Sequence, residues 1–254
     1  HFIGAKLEAG KVTGANISVK ITDEFMKAVV SDGEFTQQFP IEVPDPKVTK
    51  KIQASELWKK IIHNAWKSAE PGILFWDTIR RESVPDCYAD LGFKTISTHP
   101  CGEIPLCTYD SCRLLAINLY SYVDKPFTKD ASFDSDLFID HVHKAQRMMD
   151  DIIDLELEKI DNILKKISSD PEDEYIKARE RNLWLNIKEK AIQGRRTGFG
   201  ITAEGDMLAA LGTRYGSDDA IDFSVEVHKM LAIEAYRSSI ALAAERGAFP
   251  IWNA

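Results

Sequence analysis

The chain has 254 residues, of which 44% are hydrophobic and 28% are charged, and its formal net charge is −8. This length allows one large domain or two small ones, and the composition is that of a globular protein. The acidic balance argues against non-specific nucleic-acid binding, which needs a basic surface, and no apolar run approaches the roughly 20 residues of a membrane-spanning helix. Because no export signal opens the chain, we expect a cytoplasmic protein with reduced thiols, and the first residue, His1, suggests a processed chain or a fragment.

Mixed strands and helices are predicted over residues 1–133. β-branched residues alternate over 16–21 and predict a strand, after which Thr22 begins a helix with acids in its first turn. Residues 31–53 contain three prolines, which favour loops and short edge strands. The next predicted elements are a helix over 55–68 with apolar Leu57, Ile61, Ile62 and Trp66, a buried strand over 72–76, a helical segment over 77–81 and irregular chain over 82–96.

Residues 97–112 are predicted to be a loop, because two prolines and a glycine interrupt any regular element. The loop carries Cys101, with Glu103 two positions later and His99 two positions earlier. Further cysteines follow at 107 and 112, and a buried strand is predicted over 114–119.

Helical patterns dominate residues 134–254. The predicted elements are a long amphipathic helix over 135–167 ended by Pro171, a helix over 173–192, a glycine-punctuated helix–strand–helix connection over 194–200, a short helix over 203–211, and a last helix from the cap Ser217 to Arg246. This order favours an α/β domain, or part of one, with 1–254 as a single fragment.

The loop suggests two kinds of chemistry. A thiol beside a carboxylate is a poor thiolate nucleophile, but it suits a hydrogen-atom donor and acceptor next to a general base. The plainer alternative is a proline-rich surface loop with an incidental cysteine. A zinc site made by His99, Cys101, Cys107 and Cys112 is a further alternative, but the spacing lacks a Cys-x-x-Cys knuckle, so we expect no metal.

Two other groups of residues are predicted to have no chemical role. His141 and His143 are two positions apart on a helix and do not share a face, so we expect a solvated acidic surface around them. The glycines at 198 and 200 follow a helix, which is the wrong context for a dinucleotide fingerprint. Arg195 and Arg196 are therefore expected to be solvated, although a phosphate contact is an alternative.

Residues 98–106 read THPCGEIPL and resemble the Asn-Pro-Cys-Gly-Glu loop of ribonucleotide reductase catalytic subunits, in the Pro-Cys-Gly-Glu form of the adenosylcobalamin-dependent class. The resemblance extends over nearly the whole chain. The other segments that agree, in order, are TGANISV (13–19), TDEFM (22–26), PGILF (71–75), SCRLLAINL (111–119), RRTGFG (195–200) and DMLAALG (206–212).

The resemblance implies part of a ten-stranded α/β barrel with the loop as a finger inside it. It implies reduction of ribonucleotides to deoxyribonucleotides for DNA synthesis, with adenosylcobalamin as cofactor. Cys101 would carry a thiyl radical that takes the 3′ hydrogen of the ribose, and Glu103 would be the base for the 3′-hydroxyl. Cys112 would be one of two cysteines that end as a disulfide, and His99 stands where the family has the Asn that holds the ribose hydroxyls and the glutamate.

The resemblance implies three partners: a ribonucleotide substrate, as diphosphate or triphosphate, a dithiol reductant such as thioredoxin, and a deoxynucleotide effector that binds outside this chain. A homodimer is compatible with the resemblance. Two departures stand out: His99 replaces Asn, and RLLA follows Cys112 where Asn-Leu-Gly-Ser is common. The second redox cysteine and the phosphate-binding segment are not found, so we expect an internal fragment that is inactive alone. The alternatives are a non-catalytic, nucleotide-binding relative and a class I large subunit.

Overall fold

The computed structural model describes residues 2–8, 10–41 and 43–253. Contacts within the chain divide it into two compact units, one ending at Thr108 and the other beginning at Tyr109. The single fragment predicted from the sequence, with a change of character between residues 133 and 134, stays a prediction.

The N-terminal unit combines six short strands with three α-helices among its described residues. The strands are β1 (Ser18–Ile21), β2 (Glu34–Phe39), β3 (Val48–Gln53), β4 (Gly72–Phe75), β5 (Ser97–Thr98) and β6 (Pro105–Leu106). The helices are α1 (Asp23–Val30), α2 (Ala54–Ser68) and α3 (Trp76–Glu82), and 3-10 helices cover Phe2–Gly4 and Val84–Leu91.

The core of this unit forms where β1 leads into α1. Strands β1 and β4 pair in parallel, with Ser18 opposite Gly72. The Oγ1 atom of Thr22 accepts the N–H of Phe25 at 3.2 Å and caps α1. Phe25 is buried together with Ile61 of α2. The strand and capped helix predicted here are confirmed.

The edge strands predicted in the proline-rich segment are confirmed as an antiparallel hairpin, β2–β3, with six residues in each strand. One prediction for this unit needs correction. Helix α2 was predicted to have one apolar face, but Ile61 is fully buried whereas the side chain of Trp66 is 80% exposed. At 3.6 residues per turn, position 66 lies about 140° around the helix from position 61, so the two cannot face the same neighbour.

The C-terminal unit contains two long helices flanking a third, with four short strands among its described residues. The strands are β7 (Leu114–Asn118), β8 (Val123–Asp124), β9 (Ser132–Phe133) and β10 (Gly198–Thr202). The helices are α4 (Ser135–Ser169), α5 (Glu174–Gly194), α6 (Glu204–Ala210) and α7 (Asp218–Arg246), and 3-10 helices cover Leu119–Tyr122 and Pro250–Asn253.

Helix α4 packs against both α5 and α7. Side chains of Phe138 and Val142 on α4 are fully buried with Met207 of α6 and Val227 of α7. The predicted helix caps are confirmed, since Ser217 accepts the N–H of Ala220 at 3.3 Å. The strand between α5 and α6, predicted as part of a tight connection, is confirmed as β10.

Strands β7 and β10 pair in parallel, so each unit contributes one parallel pair typical of an α/β fold. All the sheets among the described residues have two strands, so this chain does not by itself close the barrel that the resemblance implies. Strand β7 is also less buried than predicted: Ile117 is buried, but Leu114 is exposed. None of the helices in the described part of the chain is both long and apolar enough to cross a membrane.

Candidate functional site

The loop predicted at 97–112 contains a small hairpin formed by β5 and β6, which the sequence did not predict. The N–H of His99 donates to the carbonyl oxygen of Ile104 at 3.1 Å, and the N–H of Gly102 donates to the carbonyl oxygen of His99 at 3.1 Å. Gly102 has φ +93°, which residues with a Cβ rarely adopt. The backbone therefore makes a tight turn with Cys101 at its tip.

His99 is the buried member of the hairpin tip, with 8% of its surface exposed. Its Nδ1 accepts the backbone N–H of Ile104 at 3.1 Å. A neutral imidazole that accepts at Nδ1 carries its proton on Nε2. Nε2 lies against Oε2 of Glu103, within ion-pair range although its N–H is not aligned as a hydrogen bond. The ring nitrogen thus faces that carboxylate without donating a hydrogen bond to it in this structure.

A metal ion must be weighed at this tip, because the possible ligand atoms of His99, Cys101 and Glu103 all lie within 4.8 Å of one another. A histidine that ligates a metal offers a lone pair from one nitrogen and usually donates its other N–H. Here the second nitrogen accepts a hydrogen bond instead, which leaves Nε2 protonated and unable to ligate. The side chain of Cys107 is buried and its Sγ donates to the carbonyl oxygen of Thr108 at 3.6 Å. This arrangement favours proton transfer over metal binding.

Cys101 and Glu103 are both exposed in this structure. The resemblance implies an interior position for the thiol inside a complete barrel, and that position stays a prediction, because this chain does not close a barrel around the hairpin tip. The thiol and the carboxylate are nevertheless side by side and open to a ligand.

Cys112 lies in the C-terminal unit, directly before β7, and its side chain is partly exposed. Both of its sequence neighbours are tied to helix α4: Ser111 Oγ donates to Glu156 at 3.3 Å, and Arg113 Nε donates to the same carboxylate. These contacts were not predicted, because Glu156 is more than forty positions away.

The two arginines after α5 are not solvated, contrary to prediction. Arg195 donates from Nε to Asp150 at 2.7 Å and from Nη1 to Asp154 at 2.8 Å, and Arg196 donates from Nη1 to Asp110 at 2.8 Å. Burial raises the pKa of Asp150, but hydrogen bonds from Arg195 and Arg246 outweigh it and hold that pKa below the usual value. Arg195 and Arg246 thus pair with the acidic run of α4, whereas Arg196 pairs with Asp110, which precedes β7. The one feature of the sequence that pointed to these ion pairs was the i, i+4 spacing of Asp150 and Asp154 on α4.

The two histidines of α4 are also more engaged than predicted. His141 Nδ1 lies 3.0 Å from the hydroxyl of Tyr122, and His143 Nε2 lies 2.8 Å from Oε2 of Glu234 on α7. The two histidines contact different elements, which agrees with the prediction that they do not share a face of the helix. The prediction that solvent surrounds them is wrong.

Comparison with known proteins identifies the family of this chain. Relatives named vitamin B12-dependent ribonucleoside-diphosphate reductase are 33% identical over 256 residues in Thermoplasma acidophilum and 31% identical over 254 residues in Mycobacterium tuberculosis. The alignments cover 99% of this chain but only 28% and 31% of those relatives, so the chain spans less than a third of their length.

A solved structure, the Actinobacillus ureae class Id ribonucleotide reductase alpha subunit, superposes with a TM-score of 0.68, covering 99% of this chain and 40% of that one. At 16% identity this similarity shows the fold alone. The family model for the ribonucleotide reductase barrel domain matches residues 1–254. The chain therefore belongs to the ribonucleotide reductase barrel-domain family.

Proposed function

We propose that this chain forms part of the catalytic site of a vitamin B12-dependent ribonucleotide reductase, which makes deoxyribonucleotides for DNA synthesis. The observation that carries the proposal is the hairpin tip, where the exposed thiol of Cys101 and carboxylate of Glu103 stand beside the Nε2–H of His99. Because these groups lie within 4.8 Å of one another, one ribose can contact all three.

In the proposed reaction, a sulfur radical at Cys101 takes the 3′ hydrogen atom of the ribose and becomes a thiol. Glu103 takes the proton of the 3′-hydroxyl, and the 2′-hydroxyl is protonated and leaves as water. Two further thiols supply two electrons and two protons and end as a disulfide, and Cys101 returns a hydrogen atom to the 3′ carbon. The net change converts a ribonucleotide and two thiols into a deoxyribonucleotide, water and a disulfide.

Adenosylcobalamin, when bound, supplies the one-electron chemistry that produces the sulfur radical. The exposed side chain of Cys101 fits this requirement, because a thiol at an uncovered hairpin tip can be approached by a large cofactor. The residues of this chain present the thiol and hold the base, and we assign none of them to binding the cofactor.

Cys112 is proposed as one of the two reducing thiols. None of the four cysteines is part of a disulfide in this structure, and a site that cycles between dithiol and disulfide has such a reduced state. A dithiol protein of the thioredoxin kind would restore the reduced state, which places the enzyme in a reducing compartment such as the cytoplasm. The ribonucleotide substrate is a diphosphate or a triphosphate, and an effector nucleotide would bind outside this chain, which is compatible with a homodimer.

His99 keeps open one competing function, that of a relative that binds nucleotide without reducing it. The observation that favours this function is that the larger imidazole of His99 stands beside Glu103 where the family has the amide of an asparagine. A protonated Nε2 facing Glu103 reproduces one donor of the amide, so we favour the active enzyme.

The test replaces Cys101 with Ser in the full-length subunit that contains this chain. With adenosylcobalamin, a dithiol and a ribonucleoside diphosphate or triphosphate, we expect turnover to fall about a thousandfold or more, because a hydroxyl cannot replace the thiol in hydrogen-atom transfer. Formation of deoxynucleotide is followed by chromatography, and nucleotide binding is measured in parallel.

Cys87→Ser is the matched control, because Cys87 is also exposed and not in a disulfide but belongs to a 3-10 helix and not to the hairpin. It should keep full turnover. Equal turnover of the Cys101→Ser enzyme and the unaltered subunit would refute the assignment, and nucleotide binding with no turnover in either would favour the non-catalytic relative.

A further inference from the structure

The four residues around Cys112, from Asp110 to Arg113, are held by a network of buried charges in the C-terminal unit. The side chains of Asp110 and Arg113 are only 3% and 5% exposed. Burying a charge is costly unless it is paired and hydrogen-bonded. Each of these two side chains must therefore be fixed by its partners.

Glu156 of helix α4 holds both immediate neighbours of Cys112. One of its carboxylate oxygens accepts the hydroxyl of Ser111 at 3.3 Å, and the other accepts Nε of Arg113. The Nη1 atom of Arg113 also donates to the carbonyl oxygen of Arg196 at 3.1 Å. One side chain on a long, rigid helix thus fixes the positions before and after the thiol.

The same segment is anchored from the start of β10. Arg196 Nη1 donates to Asp110 at 2.8 Å, and the N–H of Gly198 donates to the carbonyl oxygen of Arg113 at 2.7 Å. A Cβ added to Gly198 would lie 2.5 Å from that carbonyl oxygen, so the close approach of the two backbones requires glycine. The backbone on either side of Cys112 is therefore fixed to two elements at once.

Stability alone is a poor explanation of such a network. Two buried ion pairs gain little net stability over apolar side chains of the same size, because the cost of desolvation offsets the attraction between the charges. What a buried, hydrogen-bonded pair adds is a defined geometry. The group whose geometry is defined here is the thiol between Ser111 and Arg113.

We propose that Arg113 and Glu156 are positioning residues that hold Cys112 in the orientation needed for thiol–disulfide exchange. This inference rests on the proposed function, which assigns Cys112 as a reducing thiol. The pair acts through the backbone of residues 111–113, so its loss should mobilise the thiol without changing the chemistry at the hairpin tip.

The test measures alkylation of Cys112 by iodoacetamide, site by site with tandem mass spectrometry, in the whole chain and with no cofactor or nucleotide. Three variants are compared with the unaltered chain: Arg113→Met, Glu156→Met and the double variant R113M/E156M. Glu156→Met leaves the buried charge of Arg113 without its carboxylate, and Arg113→Met leaves the partly buried carboxylate of Glu156 without its cation. Both variants should therefore melt at a lower temperature and label Cys112 about tenfold faster through local opening.

The double variant separates the effect of the pair on the positioning of Cys112 from its effect on the stability of the fold. Because neither charge of the pair remains, and because Asp110, which also lies 4.0 Å from Arg113, keeps its hydrogen bond from Arg196, we expect the melting temperature to return close to that of the unaltered chain. Cys112 should still label about tenfold faster. Labelling of the exposed Cys87 should be the same in all four proteins and serves as the internal control.

A double variant that recovers both stability and slow labelling would overturn the proposal, as would one that fails to fold, since either result gives the pair only a structural role. Unchanged labelling in the single variants would overturn it as well. Because alkylation requires no turnover, the reductase assignment and the positioning role can fail separately.

Discussion

At the scale of single residues, the two ring nitrogens of His99 face different neighbours and so have different functions. Nδ1 accepts the N–H of Ile104 at 3.1 Å, which belongs to the turn itself, and Nε2 faces the carboxylate of Glu103. The turn thereby selects the tautomer, which puts the N–H of the ring on the side that faces the proposed base, although the two groups are not aligned as a hydrogen bond.

This arrangement predicts different effects for two substitutions at His99. His99→Asn keeps a donor of the right polarity, and we expect turnover of the full-length subunit to stay within about threefold, which corresponds to well under 1 kcal/mol. His99→Leu removes the N–H that faces Glu103, and turnover should fall about 10- to 100-fold, as expected when a charged group loses a polar partner.

Steady-state turnover and nucleotide affinity are measured for both variants. A strong gain of activity in His99→Asn would indicate that the histidine has impaired the site, in favour of a non-catalytic relative. Equal activity of the Leu and Asn variants would contradict the role of Nε2 as a donor.

At the scale of elements, the sequence correctly predicted the helices whose beginnings are marked by a capping residue close to them in the chain. Thr22 and Ser217 each precede an apolar periodic run, and both cap the helices expected of them. The sequence did not predict the hairpin at 97–106, because it depends on a turn only a few residues long. It did not predict the contacts of Arg195 with α4, because they join residues that are distant along the chain. The proposed site residues were found by resemblance, and their environment came only from the structure.

The contact between α4 and α7 includes one such long-range pair with a consequence for acid stability. His143 on α4 donates to Glu234 on α7, and Arg237 donates to the other oxygen of the same carboxylate at 2.5 Å. The hydrogen bond from His143 is the main cause that lowers the pKa of Glu234 below its usual value, and Arg237 contributes as well, against the opposing effect of burial. A carboxyl whose pKa is lower when folded stabilises the fold above its unfolded pKa and loses that effect as pH falls through the folded pKa.

We therefore expect Glu234→Gln to lower the melting temperature of the chain at pH 7 but to make little difference once the pH is below the lowered pKa that Glu234 has in the folded chain. Thermal unfolding followed by circular dichroism between pH 7 and pH 3 measures this convergence. Glu226→Gln is the matched control, because Glu226 is an exposed glutamate on the same helix whose nearest cation, Lys229, is 3.7 Å away. A gap between Glu234→Gln and the unaltered chain that persists undiminished at low pH would contradict the linkage.

At the scale of the whole molecule, the chain spans 28% and 31% of the relatives it matches and leaves its proposed radical-bearing thiol exposed. A sulfur radical in water reacts with solvent species and free thiols, so the chemistry needs an enclosed site that excludes them. Among the residues that the structure describes, the parallel pairs β1–β4 and β7–β10 pair with no further strand at their edges. In a larger barrel such edges pair with further strands, which would also enclose a finger loop.

The chain alone should therefore produce no deoxynucleotide when it is supplied with adenosylcobalamin, a dithiol and a ribonucleotide, whereas the full-length subunit should turn over under the same conditions. The physical reason is twofold: the thiol at position 101 is open to solvent, and reduction needs a second thiol to form a disulfide with Cys112. Mixing the chain with the rest of the subunit, expressed as separate pieces, should restore activity if the deficit is enclosure and not damage to the hairpin. Product formation by the chain alone would mean that the hairpin tip protects its own radical, and the requirement for a closed barrel would then have to be abandoned.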